Sequence, residues 1–159
     1  MVSTPYSIEC SAQPFDLSFH PQREHLVAAA LVDGTLEVHD FSPSTEGAED
    51  ENDTIVSSMA VNTQLVSGSQ KHISCRTVRF SDDGGRIYTG TSAGDVCAFD
   101  AERACTLSAT PPSILWKLPT GSHGIHVLHQ LPPELGGLLV TGDEQGCVSL
   151  WDERSVTRQ

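Results

Sequence analysis

Residues 136–154, which read GGLLVTGDEQGCVSLWDER, decide the fold of this chain. The run at 138–141 is apolar and partly β-branched, as is typical of a strand. Gln145 and Gly146 form a turn dipeptide, and residues 147–151 then alternate between small or polar and large apolar side chains. The stretch therefore predicts a β-hairpin, and the hairpin ends in the pair Trp151-Asp152.

The same pattern occurs twice more, earlier in the chain. In each copy a turn glycine precedes a closing aspartate by six residues; the pairs are Gly34 and Asp40, Gly94 and Asp100, and Gly146 and Asp152. Three copies of strand, turn and strand at one internal spacing predict an all-β repeat protein.

The remaining strands follow from short apolar or alternating runs bounded by turn residues. The predicted strands lie at 15–19, 26–31, 35–41, 54–66, 75–80, 86–91, 95–100, 113–118, 125–131, 138–142 and 147–151. A further short run at 6–10 is too brief to place. The chain thus divides into a strand or tail at 1–14, a first unit at 15–66 with an acidic loop at 42–53, a second unit at 72–118, an incomplete third unit at 123–154 and a tail at 155–159.

Charge and cysteine content exclude several kinds of partner and site. The formal net charge is -12, from 21 acidic and nine basic residues, so the summed field repels nucleic-acid phosphates and anionic lipids. We expect no direct nucleic-acid or membrane binding. The five cysteines contain no C-x-x-C pair, which argues against a disulfide framework and a thiolate zinc site. No run of 18 apolar residues or secretory leader is present, and we expect a soluble protein of the nucleus or cytoplasm.

Several of these segments resemble WD repeats: FSDDG at 80–84, YTG at 88–90, VTGD at 140–143 and LWD at 150–152. The segments FHP at 19–21, CRTVRFSDDG at 75–84 and the run from Leu139 to Arg154 are similar to the family of WD repeat-containing protein 55. The likeness covers nearly all of residues 15–154.

This resemblance implies a seven-bladed β-propeller that acts as a non-catalytic protein-interaction scaffold. It further implies a nuclear and nucleolar role in ribosomal RNA processing and ribosome biogenesis, with pre-ribosomal factors as partners. The chain holds only about three blades, whereas a closed propeller has typically four to eight. We therefore expect a partial propeller, either the first portion of a longer protein or a truncated product, with two uncovered end faces and a tendency to self-associate.

The resemblance also assigns structural roles, because WD blades are often pinned by a buried hydrogen-bonded set of His, Ser or Thr, Asp and Trp. The third unit offers His123, Thr141 and Trp151, the second offers His72 and Thr89, and the first offers Asp33, with His39 in the Trp position. All three sets are incomplete, so we expect the blades to rely mainly on apolar packing.

The sequence Trp151-Asp152-x-Arg154 is similar to the WDxR box of propellers that serve as substrate receptors of cullin-4 ubiquitin ligases. The likeness implies that Trp151, Asp152 and Arg154 bind the adaptor of such a ligase, with Arg154 making charge-assisted contacts. The alternative is ordinary termination of a strand, since many WD repeats end this way.

No catalytic motif, metal site or cofactor site is predicted. The chain lacks phosphate-binding, dinucleotide-binding, nucleophile-elbow and H-E-x-x-H signatures, and an enzyme built on a propeller is kept only as an alternative. His123, His126 and His129 are three residues apart, and on a strand that spacing points neighbours to opposite faces. The acidic loop lacks the spacing of a calcium-binding EF-hand loop.

Overall fold

The computed structural model describes residues 7, 9–41, 54–60, 73–106, 114–121 and 123–155. Those residues contain eleven strands, which in chain order are β1 (Pro14–Phe19), β2 (Leu26–Leu31), β3 (Thr35–Asp40), β4 (Thr54–Ala60), β5 (Cys75–Phe80), β6 (Arg86–Thr91), β7 (Asp95–Asp100), β8 (Ile114–Pro119), β9 (Ile125–Gln130), β10 (Leu139–Asp143) and β11 (Val148–Trp151). One helix, α1 (Ala101–Ala104), and two 3-10 turns, Pro133–Leu135 and Glu153–Ser155, complete the described structure. None of the described helices is long and apolar enough to cross a bilayer.

The strands form three antiparallel meanders, which we call blades I, II and III. Blade I has the order β1-β2-β3-β4, blade II the order β5-β6-β7-β8, and blade III only three strands in the order β9-β10-β11. The first strands lie side by side, because β1 packs against β5 and β5 against β9. The predicted all-β fold, with three blades of which the last is incomplete, is confirmed.

Most strand bounds agree with the predicted bounds to within one residue, because turn glycines mark the ends. Gly34, Gly94 and Gly146 have φ values of 87°, 83° and 83°, a left-handed conformation that favours glycine. The predicted strand at 54–66 ends at Ala60 in the described part, and 61–66 lie outside the described residues. Of the run at 6–10, Ser7, Glu9 and Cys10 are described and belong to no strand.

Two apolar cores join the blades in order. The core between blades I and II includes Leu26, Ala28, Leu36, Val38, Val78, Phe80, Ile87 and Phe99. The core between blades II and III consists of Tyr88, Val96, Ala98, Trp116, Ile125, Leu128 and Leu139, with Leu118 and Trp151 packed against it. Blade II is therefore buried on both faces, whereas blades I and III end the arc.

The two end faces differ, and the expectation that both are uncovered is wrong for part of blade I. On β1, Leu17 and Phe19 are exposed, as expected for an end face. On the neighbouring strand β2, however, Val27, Ala29 and Leu31 are at most 2% exposed although they point away from blade II. The end face of blade III is open, since Val127, Val148 and Leu150 are all exposed.

Candidate functional site

The meander gives the arc two rims. One rim carries the turn glycines Gly34, Gly94 and Gly146 and the beginnings of β1, β5 and β9; we call it the glycine rim. The other carries the ends of β3, β7 and β11 at Asp40, Asp100 and Asp152, and we call it the aspartate rim. In antiparallel sheets of this connectivity, a side chain at one rim is a full strand length from the other rim.

A cavity of about 450 Å³ opens at the glycine rim and is lined by Phe15, Ser74, Arg76 and His126. Phe15, Arg76 and His126 are each the second residue of the first strand in their blade. Three consecutive blades therefore contribute the same structural position to one cavity.

A β-bulge recurs at this position in all three blades. The register between β1 and β2 shifts between Pro14 and Asp16, and that between β5 and β6 shifts between Cys75 and Thr77. In the third blade, Gly142 faces Val127 and Asp143 faces Ile125, so His126 has no partner of its own. Because a bulged residue leaves the ladder and is re-aimed, the bulges direct Phe15, Arg76 and His126 toward the cavity.

The cavity combines an aromatic ring, a cation and an imidazole, and a carboxylate beside it contacts the cation. Nη1 of Arg76 donates to Nε2 of His126 at 2.7 Å and to Oε2 of Glu144 at 3.3 Å. In that arrangement Nε2 of His126 accepts the hydrogen bond, since the guanidinium has no acceptor. Phe15 offers a half-exposed aromatic face beside these groups. Such a surface can bind a protein segment through apolar contact and charge-assisted hydrogen bonds.

Asp16 clamps blades I and II directly below the cavity. Its Oδ2 accepts from Oγ1 of Thr77 at 2.8 Å, from the backbone N–H of Val78 at 3.0 Å and from Nη1 of Arg79 at 2.7 Å. Oγ of Ser18 adds a bond from the backbone N–H of Phe80 at 3.1 Å. These bonds fix the separation of Phe15 and Arg76, and no local pattern predicts them.

Glu153 clamps blades II and III at the aspartate rim. Its Oε2 accepts from the hydroxyl of Tyr88 at 2.9 Å, and its Oε1 pairs with Nη1 of Arg86. Burial and the neighbouring Glu153 carboxylate raise the pKa of the Tyr88 hydroxyl, which therefore stays a donor. The residue between Asp152 and Arg154 thus joins two blades, although sequence reasoning assigned it no role.

The three predicted partner-binding residues lie together at the aspartate rim, on the opposite side from the cavity. Nε1 of Trp151 donates to Oγ1 of Thr141 at 2.9 Å, and its ring packs against the core between blades II and III. Arg154 donates two parallel hydrogen bonds of 2.8 Å to Asp152, from Nε to Oδ1 and from Nη2 to Oδ2. These bonds hold the pKa of the Asp152 carboxyl below its ordinary value, and the Arg154 side chain remains 74% exposed.

The predicted hydrogen-bonded sets of His, Ser or Thr, Asp and Trp form only in part. In blade III the Trp151 to Thr141 bond forms, but His123 is exposed and lies 3.1 Å from the side-chain amide of Gln145. In blade II, Oγ1 of Thr89 donates to the carbonyl of Thr77 at 2.8 Å, and His72 lies outside the described residues. His123 precedes β9 and is exposed at the glycine rim, so it is not part of the bond between Trp151 and Thr141.

The other predicted structural residues shape turns. Oδ1 of Asp33 accepts from the backbone N–H of Thr35 at 2.9 Å, in the turn that Gly34 completes. Asp100 caps α1 by accepting from the backbone N–H of Arg103 at 3.1 Å, and Asp152 caps the 3-10 turn Glu153–Ser155 in the same way. Asp40 ends β3 at the aspartate rim. Closing aspartates thus serve as caps in blades II and III.

One cluster in the described residues has the composition of a metal site, namely Cys10, Glu37 and His39. It lies on blade I, away from the cavity. The histidines at 123, 126 and 129 are directed to different neighbours: His123 to Gln145, His126 to Arg76, and His129 across the ladder from Val140.

Comparison with curated proteins places the chain beside WD-repeat proteins. WD repeat-containing protein 55 of Arabidopsis thaliana is 29% identical over 154 residues, which cover 92% of this chain and 34% of that protein. The Homo sapiens protein of the same name is 30% identical over 152 residues, covering 95% and 33%. WD repeat-containing protein JIP5 of Malassezia globosa is 26% identical over 148 residues, covering 92% and 33%. No family profile matches the chain.

A solved structure confirms the fold. The C-terminal WD40 domain of Sif2 superposes with a TM-score of 0.69 at 15% sequence identity, over 92% of this chain and 36% of that domain's chain. The chain spans about a third of the length of the relatives that it matches. It therefore has the fold of an open, partial WD-repeat propeller.

Proposed function

We propose that this open segment of a WD-repeat propeller, similar to WD repeat-containing protein 55, acts as a non-catalytic protein-interaction scaffold whose binding surface is the glycine rim. The observation that carries the proposal is the repeated bulge, which brings Phe15, Arg76 and His126 from three blades to one cavity. Packed blades hold these side chains in fixed positions, so the surface is preformed and loses little entropy on binding.

The charges favour a basic protein as the partner. The net charge of -12 attracts a basic surface over long range and speeds encounter. Beside the cavity, the carboxylate of Glu144 pairs with Arg76 and is 40% exposed, so a partner's cation can also contact this carboxylate. Phe15 then supplies the apolar contact that the centre of an interface needs.

The process we propose for this scaffold is ribosome biogenesis, in particular ribosomal RNA processing in the nucleolus. Its support is the likeness to WD repeat-containing protein 55 and the acidic surface, which suits basic pre-ribosomal factors and disfavours direct binding to RNA.

Depletion followed by rescue tests this proposal in cells. We expect depletion to cause precursor ribosomal RNA to accumulate, and wild-type protein or the Arg154→Ala variant to restore processing. The double variant Phe15→Ala, Arg76→Gln should fail to restore it because two of the three cavity side chains are lost. Normal processing after depletion, or full rescue by the folded double variant, would contradict the proposal.

The alternative is a substrate receptor of a cullin-4 ubiquitin ligase, and the exposure of Arg154 favours it. The side chain is held by Asp152 yet remains accessible at the aspartate rim, in a geometry that could present its outer edge to an adaptor. Adaptor capture by wild-type protein that falls with both Arg154→Ala and Arg154→Lys would support this role. Unchanged capture by both variants would remove this arginine from the mechanism.

A further inference from the structure

Cys10, Glu37 and His39 meet on the face of blade I that points away from blade II. Leu36 and Val38 pack in the core between the two blades, so the alternating residues Glu37 and His39 of β3 point to the opposite face. Cys10 reaches them from the segment before β1. Cys10 precedes Glu37 by 27 positions in the chain, and only the fold brings Cys10 next to Glu37 and His39.

The distances between the ligand atoms suit one bound ion. Nε2 of His39 lies 3.1 Å from Oε2 of Glu37 and 3.9 Å from Sγ of Cys10, and all three ligand atoms lie within 4.8 Å of one another. Zinc bonds of about 2.3 Å to sulfur and about 2.0–2.2 Å to nitrogen and oxygen, at tetrahedral angles, separate the ligand atoms by roughly 3.3–3.7 Å. The two distances from Nε2 of His39 are thus within a few tenths of an ångström of that range, and movements of about 1 Å at most would bring the third pair into it.

The surroundings make an ionised carboxylate costly without a cation. Glu37 and His39 are each 1% exposed, and their partners across the ladder on β2 are Ala29 and Val27. Within the described part of the chain, Glu37 receives only long hydrogen bonds from the backbone N–H of Ser11, at 3.4 and 3.3 Å, besides its contact with His39. A divalent ion with one thiolate and one carboxylate is a neutral group, which an apolar interior accepts far better than a separate charge.

The histidine is held through the nitrogen that faces the cluster. Its Nε2 contacts both Glu37 and Cys10, whereas Nδ1 is the one buried side-chain nitrogen or oxygen in the described residues that has no hydrogen-bond partner. A histidine that ligates a metal uses one ring nitrogen for the ion and normally directs the other to an outer partner. Nε2 of His39 is therefore the nitrogen that an ion in this cluster would contact, and Nδ1 is turned away from it.

We propose that Sγ of Cys10, the carboxylate of Glu37 and Nε2 of His39 bind a divalent transition-metal ion, with Zn²⁺ preferred. The combination of sulfur, nitrogen and oxygen ligands selects a borderline-soft ion over Mg²⁺ or Ca²⁺, which prefer oxygen alone. Three protein ligands leave a fourth position for water or another group. On binding, the Cys10 thiol releases its proton to solvent, and the imidazole carries its proton on Nδ1. Burial and the Glu37 charge raise the pKa of the Cys10 thiol, so the thiol is protonated before metal binds.

The test uses Co²⁺ as a spectroscopic substitute for Zn²⁺ on the full 159-residue chain after removal of metal with a chelator. We expect one Co²⁺ per chain, with a thiolate-to-metal charge-transfer band in the near ultraviolet and loss of the band when Zn²⁺ is added. Cys10→Ser should abolish the band, and His39→Gln and Glu37→Gln should each weaken Co²⁺ affinity by at least about tenfold, since even outer-shell changes cost about 10- to 100-fold.

Cys147→Ser is the matched control, because Cys147 is an exposed cysteine far along the chain and its loss should leave the band unchanged. Far-ultraviolet circular dichroism checks that each variant is folded. Cys10 is only half-buried, so its serine variant stays decisive if a buried variant unfolds. Absence of the band in wild-type protein, or its persistence in Cys10→Ser, would overturn the proposal and leave the cluster as a hydrogen-bonded anchor for Ser11.

Discussion

At the scale of single residues, His20 links folding to pH. Its buried ring packs on Phe80 with 4.9 Å between centroids, and its Nδ1 accepts from the backbone N–H groups of Gln22 and Arg23, each at 3.1 Å. Burial first, and then the positive charge of Arg23, lower the pKa of His20 below its ordinary value. Protonation would break both accepted bonds.

The sign of the pH dependence follows from that lowered pKa. Between the folded-state pKa and the unfolded value of about 6.5, the unfolded chain binds more protons, so stability is complete above about pH 6.5 and falls as the pH drops. We expect the free energy of unfolding to decline more between pH 7.5 and pH 5 in wild-type protein than in His20→Asn. Urea titrations at the two pH values measure the difference, and equal declines would show that His20 does not titrate with folding.

The reactivity of single cysteine side chains tests whether the interior of blade II is buried. Cys75 and Cys97 lie buried in blade II, and burial raises the pKa of each thiol to about 12. Because the thiolate is the reactive form, a maleimide at pH 7.5 should label exposed Cys147 rapidly and leave Cys75 and Cys97 unlabelled until urea unfolds the chain. Peptide mass spectrometry resolves the three sites. Equal labelling of all three in the native protein would mean that blade II is not packed as described.

At the scale of structural elements, the contact between blades II and III depends on a missing side chain. A Cβ added at Gly90 of β6 would lie 2.5 Å from Cγ2 of Ile125 and 2.9 Å from Cγ2 of Thr77. Neither neighbour can retreat easily within a packed core. We expect Gly90→Ala to destabilise the protein by about 1–3 kcal/mol, the usual cost of overpacking.

The double variant Gly90→Ala, Ile125→Ala identifies the cause. Removing the Ile125 side chain leaves a cavity that the added methyl group can enter, so the double variant should cost less than the sum of the two single variants. Chemical denaturation gives all three values. Strict additivity would indicate that the loss in Gly90→Ala does not come from the contact with Ile125.

The strands were predictable from sequence, but the bulges and clamps were not. A strand such as β6 or β7 is encoded locally, by apolar residues between turn residues, and a left-handed glycine such as Gly94 marks its end. The bulge at Arg76 and the clamp by Asp16 depend on which strands become neighbours, since Asp16 meets its partners more than 60 positions away. A local sequence pattern does not show which residues so far apart in the chain will be in contact.

The same lack of long-range information in local patterns explains why only one of the candidate sites could be predicted from the sequence. The WDxR box is contiguous and could be read from the chain, whereas the cavity draws on Phe15, Arg76 and His126 and required the order of the blades. Cys10 could not be assigned to Glu37 and His39 because its spacing matches no ligand motif. Only the fold reveals that these residues converge.

At the scale of the whole molecule, the arc ends in apolar surface. Val148, 71% exposed, and Leu150, 59% exposed, lie on the end face of blade III with Val127, and Leu17 and Phe19 lie exposed on β1 at the other end. Contiguous apolar faces of this kind bind a neighbouring surface. The chain of 17.1 kDa should therefore elute as a dimer or larger species at micromolar concentration.

Charge placed on this face tests the cause of association. Val148→Lys with Leu150→Lys should shift elution to the monomer position, because association would bury unpaired cations. Leu135→Lys is the matched control, since Leu135 is 64% exposed but lies in the turn between β9 and β10. A wild-type chain that elutes as a compact monomer would refute the prediction.

Binding of partners at the glycine rim can be tested by site-specific photocrosslinking in cells. A photoreactive phenylalanine analogue at position 15 would be compared with the same analogue at position 135, on the aspartate rim. We predict that a discrete partner protein crosslinks from position 15, that Arg76→Gln reduces the yield at least about tenfold, and that position 135 does not capture the same partner. Crosslinks from position 135 alone, or none from position 15 in folded protein, would contradict the account.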